Sequence, residues 1–365
     1  MDYEEPLFFR VMQYAGNADR DVIDMVSGNP DWGAPPAISD GLHEYADLGG
    51  EAFQYPPSDG MVALREEIAK RQSVAAERVV IANGGGEANY LAMAGALEQA
   101  TGNEVILTDP VYPYYPGKTQ MLGGTPRYVP VAEDGTLEPD AVRAIASEET
   151  ALIMVNTPNN PTGAVYDHDI MAELVAIAEE HDAFLVSDEV YDEFDHSGTF
   201  TSALAFESDN CIITKSFSKS FAITGFRVGY SIFPDELVAA ARTRHMLVNV
   251  TSPHPSQYAV LRALKETPES YHEETRELLG ERIETFTAAL DEAGATYTRP
   301  AGGFYVMARF DGFPGTLDNV FRLIDEAGVA GMPGEAFGEE RSDWLRFALV
   351  TPQATEAATR LANFF

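Results

Sequence analysis

A chain of 365 residues, 45% of them hydrophobic, holds enough apolar material for one large or two medium cores. Its 58 acidic residues against 24 basic ones leave a formal charge of −34, which repels phosphate backbones and argues against nucleic acid as a partner. No apolar run approaches the roughly 18 residues of a membrane span, Met1-Asp2-Tyr3-Glu4-Glu5 lacks the basic-then-apolar layout of a signal peptide, and the lone Cys211 rules out an internal disulfide. The expected setting is a reducing cytoplasm. Lysine is scarce, at Lys70, Lys118, Lys215, Lys219 and Lys265 alone, and this acidic, lysine-poor balance points to adaptation to high salt, where self-repulsion is screened.

From about residue 79 to 232, short apolar runs alternate with helical periodicity, the pattern of a mostly parallel sheet covered by helices. Seven strands are predicted: Val79–Ala82, Glu104–Thr108, Arg127–Val131, Ala151–Val155, Ala183–Ser187, Cys211–Lys215 and Arg227–Ile232. Helices are predicted over Ala88–Gln99 and Asp169–Glu180, then a long one over Pro268–Ala293, followed by strands Gly303–Phe310 and Trp344–Val350. The expected α/β fold has a large domain over 41–255 and a smaller α+β domain made of 1–40 together with 256–365. Open parallel sheets bind ligands beyond the carboxyl ends of their strands, and the chemically suggestive residues follow those ends.

After the first strand, Asn83-Gly84-Gly85-Gly86-Glu87 sets bare backbone amides before a helix, a cup for an anion; a flexible turn explains the same letters. After the fourth, Asn156-Thr157-Pro158-Asn159-Asn160-Pro161-Thr162-Gly163 makes a rigid loop that can aim Asn160 into the crevice, although a tight turn needs no more. After the fifth, Ser187-Asp188-Glu189-Val190-Tyr191 offers a carboxylate for a pyridinium nitrogen and a phenol for a ring oxygen, or a merely acidic surface loop. After the sixth, Ser216-Phe217-Ser218-Lys219 sets a lysine in a small, apolar context that lowers its pKa, with Ser216 and Arg227 as phosphate ligands; alone it also reads as a Ser-rich surface loop.

Together and in this order, these elements resemble the class I/II aminotransferases of fold type I, which bind pyridoxal 5′-phosphate, over nearly the whole chain. Further matches are Tyr55-Pro56-Pro57-Ser58-Asp59-Gly60 through Leu64-Arg65, Asp109-Pro110-Val111-Tyr112-Pro113 and Arg346-Phe347-Ala348. The resemblance implies transfer of an amino group from an L-amino acid to a 2-oxo acid, with Lys219 holding the cofactor as a Schiff base and then shuttling the proton. It implies Asp188 on the ring nitrogen, Tyr191 and Asn160 on the ring oxygen, and Tyr112 stacked on the ring. Ser216, Arg227 and the amides of Gly85 and Gly86 are implied for the phosphate, and Arg346 with the backbone of Gly28 for the substrate carboxylate. It also implies a homodimer, in which Tyr55 crosses to the partner's phosphate. Where Gly86 stands, relatives often carry Ser or Gln, so backbone amides serve here. No cation for a dicarboxylate side chain is evident.

Other chemistries fit less well. Ser216-Phe217-Ser218-Lys219 satisfies S-x-x-K, but Ser208-Asp209-Asn210 precedes it and no K-T-G follows. Gly117-Lys118-Thr119 ends like a P-loop, yet Tyr112 occupies its first glycine; Asn89 spoils a G-x-G-x-x-G. His43-Glu44 and His272-Glu273 lack a second histidine, so no metal site is expected. Within the same fold the alternative is a C–S β-lyase. The aromatics Phe8, Phe9, Tyr14 and Trp32 either cap an apolar substrate or pack in the core, which is the blander and better-supported choice.

Overall fold

The computed structural model describes residues 6–365. The large sheet contains β1 (Val79–Ala82), β2 (Glu104–Asp109), β3 (Thr125–Pro130), β4 (Thr150–Asn156), β5 (Phe184–Asp188), β6 (Cys211–Ser216) and β7 (Gly229–Ile232). Their order is β1-β7-β6-β5-β4-β2-β3. The strands from β6 to β3 pair in parallel, and β7 runs antiparallel to both β6 and β1. Every residue of β4 is buried because helices cover both faces. Ile153, Val155, Leu185 and Ile213 face one core with Leu174 and Ile177. Leu152, Met154, Val186 and Ile212 face the other, against Leu91 and Ala92 of helix Gly85–Gln99.

Several predicted boundaries shift, three of them for an evident local reason. Gly84, at φ 77°, turns the chain out of β1 directly into a helix that starts at Gly85 rather than Ala88, so Gly85 and Gly86 form its first turn. Their poor helix propensity hid this. The last strand begins at Gly229, because Arg227 takes the left-handed conformation at φ 55°. The strand predicted from Arg127 starts at Thr125, its exposed outer edge having little apolar signal.

A second sheet, order β10-β11-β9-β8, is antiparallel and is formed by β8 (Thr296–Thr298), β9 (Tyr305–Arg309), β10 (Met332–Pro333) and β11 (Leu345–Ala348). It shares a core with helices Ser270–Glu292, Leu317–Ala327 and Ala354–Phe364. Ile23–Asp24 pairs in parallel with Val329–Ala330, so the N-terminal segment joins this part. Helices Pro36–Asp47 and His254–Glu266 pack on the large-sheet core. They approach so closely that a Cβ at Gly41 would lie 2.8 Å from the Cα of Ala259. No helix among the described residues is long and apolar enough to cross a membrane.

Candidate active site

Beyond the carboxyl ends of β4, β5 and β6 lies a cavity of about 310 Å³. Its floor is Asp188, the last residue of β5 and only 3% exposed. One carboxylate oxygen accepts hydrogen bonds from Asn89 Nδ2 at 2.6 Å and Tyr115 Oη at 2.5 Å; the other accepts from the Val190 amide at 3.2 Å. Thr214 donates to Asn89 Oδ1 at 2.6 Å and so fixes which end of that amide faces the acid. Burial pushes the Asp188 carboxyl upward, and the three donors and the charge of Lys118 oppose it. A cation placed against its free side favours the ionised form.

The opposite wall is basic. Ser216 closes β6 and caps the short helix Phe217–Ser220, accepting from the Ser218 amide, which brings Lys219 over the cavity. Lys219 Nζ donates to the Gly28 carbonyl at 2.5 Å. Burial, then the charges of Arg346 and Arg227, lowers its pKa from the ordinary 10.5 to about 8. Arg227 donates to the carbonyls of Thr224 at 2.9 Å and Asn83 at 3.0 Å, which holds its guanidinium beside the N-terminus of helix Gly85–Gln99. A Cβ on Gly84 would lie 2.4 Å from that guanidinium, and one on Gly229 would strike the backbone of Gly84, so the close approach requires glycine. The first amides of this helix have no intrahelical acceptor. Beside them the Ser218 hydroxyl is buried without a partner. An orphan hydroxyl, free helix amides and a fixed arginine form a cradle that fits a phosphate.

A third group lies between the sheets. The Asn160 amide donates to Tyr191 Oη at 3.4 Å, and its oxygen accepts from Arg346 at 3.1 Å; Tyr191 also shares a 3.2 Å bond with Tyr305. Arg346 reaches the Val26 carbonyl at 2.5 Å and stacks 4.4 Å from the Tyr305 ring centroid, its Nε unpaired. A Cβ at Gly28 would fall 2.1 Å from the Tyr305 hydroxyl, so a side chain there closes the site.

The cavity is lined by Lys219, Asp188, Tyr191, Asn160, Tyr112, Ser216, Arg227, Gly85 and Gly86, all named from sequence. Gly28 and Arg346 adjoin it through their bonds to Lys219 and Asn160. Tyr55 lies apart, 82% exposed. Sequence reasoning missed Asn89, Tyr115, Ser218 and Tyr305; of these only Ser218 carried a signal, as the second hydroxyl beside the lysine. Tyr14 stacks on Phe321 at 3.9 Å and Phe8 packs on the small core, while Trp32 packs against Phe194 and Phe304. Phe9 is 51% exposed and none of the four lines the cavity.

Behind the floor, Lys215 points away from the cavity, 2.5 Å from Asp192 and 3.5 Å from Glu189. Glu189 is fully buried and also accepts from Ser202 and the Ala203 amide. Burial alone depresses the Lys215 pKa, but Asp192 and Glu189 outweigh it and hold the amine charged. Lys215→Met is expected to destabilise the fold by about 3–5 kcal/mol by stranding Glu189, measurable as a lowered urea midpoint, and Lys215→Arg to recover most of it.

The cradle, the buried acid and the depressed lysine suit pyridoxal 5′-phosphate. The family model for aminotransferases of class I and II matches residues 20–361. The aspartate aminotransferase of Thermotoga maritima is 31% identical, over 94% of this chain and 91% of its own. The aspartate/prephenate aminotransferase of Thermus thermophilus is also 31% identical over the same shares. The solved Thermus thermophilus aspartate aminotransferase with maleate superposes with a TM-score of 0.91 at 27% identity, covering 99% of this chain and 97% of that one. The sheet topology, the cavity at its strand ends and these likenesses agree: the chain belongs to the class I and II aminotransferases, fold type I enzymes that work with pyridoxal phosphate.

Proposed function

We propose that Lys219 anchors the cofactor and carries the proton in an amino transfer between an L-amino acid and a 2-oxo acid. The observation that carries this is the position of its amine, pKa about 8, across the cavity from the buried Asp188 and next to Arg346. When bound, pyridoxal phosphate supplies a ring that draws electrons from the substrate α-carbon. Asp188 holds the ring nitrogen, Tyr191 and Asn160 the ring oxygen, and Tyr112 the ring face. Ser216, Ser218, Arg227 and the amides of Gly85 and Gly86 hold the phosphate. Arg346 and the Gly28 backbone orient the substrate carboxylate, a fork against a planar anion. Lys219 would then take the α-proton and return it at cofactor C4′. In this reading the catalytic residues are Lys219, Asp188 and Tyr191.

The test is stoichiometric. A donor alone should convert the bound cofactor to its amine form with one oxo acid released per site, and a second oxo acid should restore it. Steady release of pyruvate and ammonia from one amino acid would mean β-elimination instead.

The proposal includes a cytoplasmic homodimer at high salt, with Tyr55 of the partner subunit at the phosphate and the two units expected from sequence, 41–255 and 1–40 with 256–365, except that helices Pro36–Asp47 and His254–Glu266 go with the larger one. Leu247 is 78% exposed, with Val248 and Val250 beside it at the end of helix Asp235–Asn249. The Thr251 hydroxyl donates to the Pro57 carbonyl at 3.2 Å, so Tyr55 shares this face. Such an apolar patch favours a partner surface. Sedimentation should give a dimer in molar salt and, below about 0.1 M, where charges act across roughly 10 Å, dissociation or unfolding. An unchanged dimer in low salt would remove the salt adaptation, and a monomer throughout would remove the shared site.

A further inference from the structure

Behind the anion cradle stands a carboxylate that the chemistry above does not use. Glu87 is the third residue of helix Gly85–Gln99, and its side chain is only 9% exposed. It accepts from the Asn83 backbone amide at 2.6 Å, faces His245 Nδ1 at 2.8 Å and accepts from the Asn249 side-chain amide. His245 is fully buried and Asn249 ends the same helix, Asp235–Asn249, so this acid ties a second helix to the start of the first. Burial pushes the Glu87 carboxyl upward, but His245, the Asn83 amide and Asn249 outweigh burial and hold it below the ordinary 4.5.

Gly84, the cap of this helix, has no side chain to occupy the first amides, and Glu87 reaches back beyond it to Asn83. The amides of Gly85 and Gly86 are thereby left to an anion. Asn83 is clamped from both sides, its amide by Glu87 and its carbonyl by Arg227 at 3.0 Å. Gly85 and Gly86 have no side chains to reach an anion, so the grip of the cradle depends on where their amides and the Arg227 guanidinium point. We infer that Glu87 is a positioning residue: held by His245 and Asn249, it fixes Asn83 and Gly84 so that these amides and Arg227 converge on one phosphate. The inference rests on the phosphate-cradle reading above.

Full-length protein stripped of cofactor should be titrated with pyridoxal phosphate and with pyridoxal, so that the ratio of the two affinities isolates the phosphate. Glu87→Asp keeps the charge but is one methylene too short to reach Asn83. It and Glu87→Ala should each weaken pyridoxal phosphate by about 10-fold and leave pyridoxal unchanged. Glu87→Gln, which reaches Asn83 without the charge, should stay within about 3-fold of wild type. Glu98→Ala is the control: it breaks an exposed 2.7 Å pair with Arg244 between the same two helices, about three turns further on, and should change neither affinity. Urea midpoints establish that each variant is folded, and should Glu87→Ala not fold, Asn249→Ala at the exposed helix end reports the same loss at about 3-fold. Equal weakening of both ligands overturns the inference, as does unchanged pyridoxal phosphate affinity in Glu87→Asp and Asn249→Ala. Tighter binding in Glu87→Ala, the mark of a carboxylate that merely repels the anion, overturns it too; each of these leaves the cradle standing. If the wild type binds pyridoxal as tightly as pyridoxal phosphate, the cradle reading itself fails, and the inference with it.

Discussion

Lys219→Ala is expected to lower turnover by at least about 10⁴-fold, because proton transfer, itself worth roughly 10²–10⁴-fold, and cofactor anchoring are lost together. The fold should persist, since the lysine is half-buried and its hydrogen bond is to a single carbonyl. In the wild-type apoprotein, capture of the cofactor aldehyde should rise with pH and level off above a midpoint near 8. The sign follows from the amine: protonated, it cannot attack. An ordinary lysine near 10.5 would be neutral in roughly three molecules in ten thousand at pH 7, whereas one lowered to about 8 is neutral in roughly one in ten. Capture with an unshifted midpoint near 10.5, or a borohydride-stable adduct that forms equally well on Lys219→Ala, would overturn the assignment.

Asp188→Ala should keep the cofactor, held by Lys219 and the phosphate cradle, yet lose about 10²–10³ in kcat, the usual cost of removing one preorganised electrostatic group. It also strands the donors of Asn89 and Tyr115, for about 1–3 kcal/mol of stability each at most. Asp188→Asn separates the two effects. Its amide oxygen can still accept from those donors, so stability should recover while turnover stays low, because the negative charge is missing. Near-normal turnover in either variant would refute the role.

The fold was readable because β4, β5 and β6 are short apolar runs of the length that sheets with two covered faces demand, each followed by its chemistry. Lys219, Asp188, Tyr191 and Asn160 follow those strand ends, where a linear reading looks first. Boundaries at Gly85 and Arg227 were misread because a glycine-rich helix start and a left-handed arginine are both set by close packing, Gly84 and Gly229 lying against neighbouring groups. Asn89 and Tyr115 escaped because each sits in a helix, one turn inside Gly85–Gln99 and second in Tyr114–Met121, where its letter looks like filler; only the folded sheet brings them to Asp188. Tyr305 was hidden in the same way, inside a predicted strand of the far sheet.

The contact between Arg346 and the Val26 carbonyl joins positions 320 apart along the chain. In the assignment proposed above, the substrate half of the pocket therefore does not exist on the ribosome until nearly all of the polypeptide has emerged. The cofactor half, from Gly85 to Arg227, can be assembled from the middle of the chain alone. During synthesis the vitamin-derived group would thus have a seat before its substrate does.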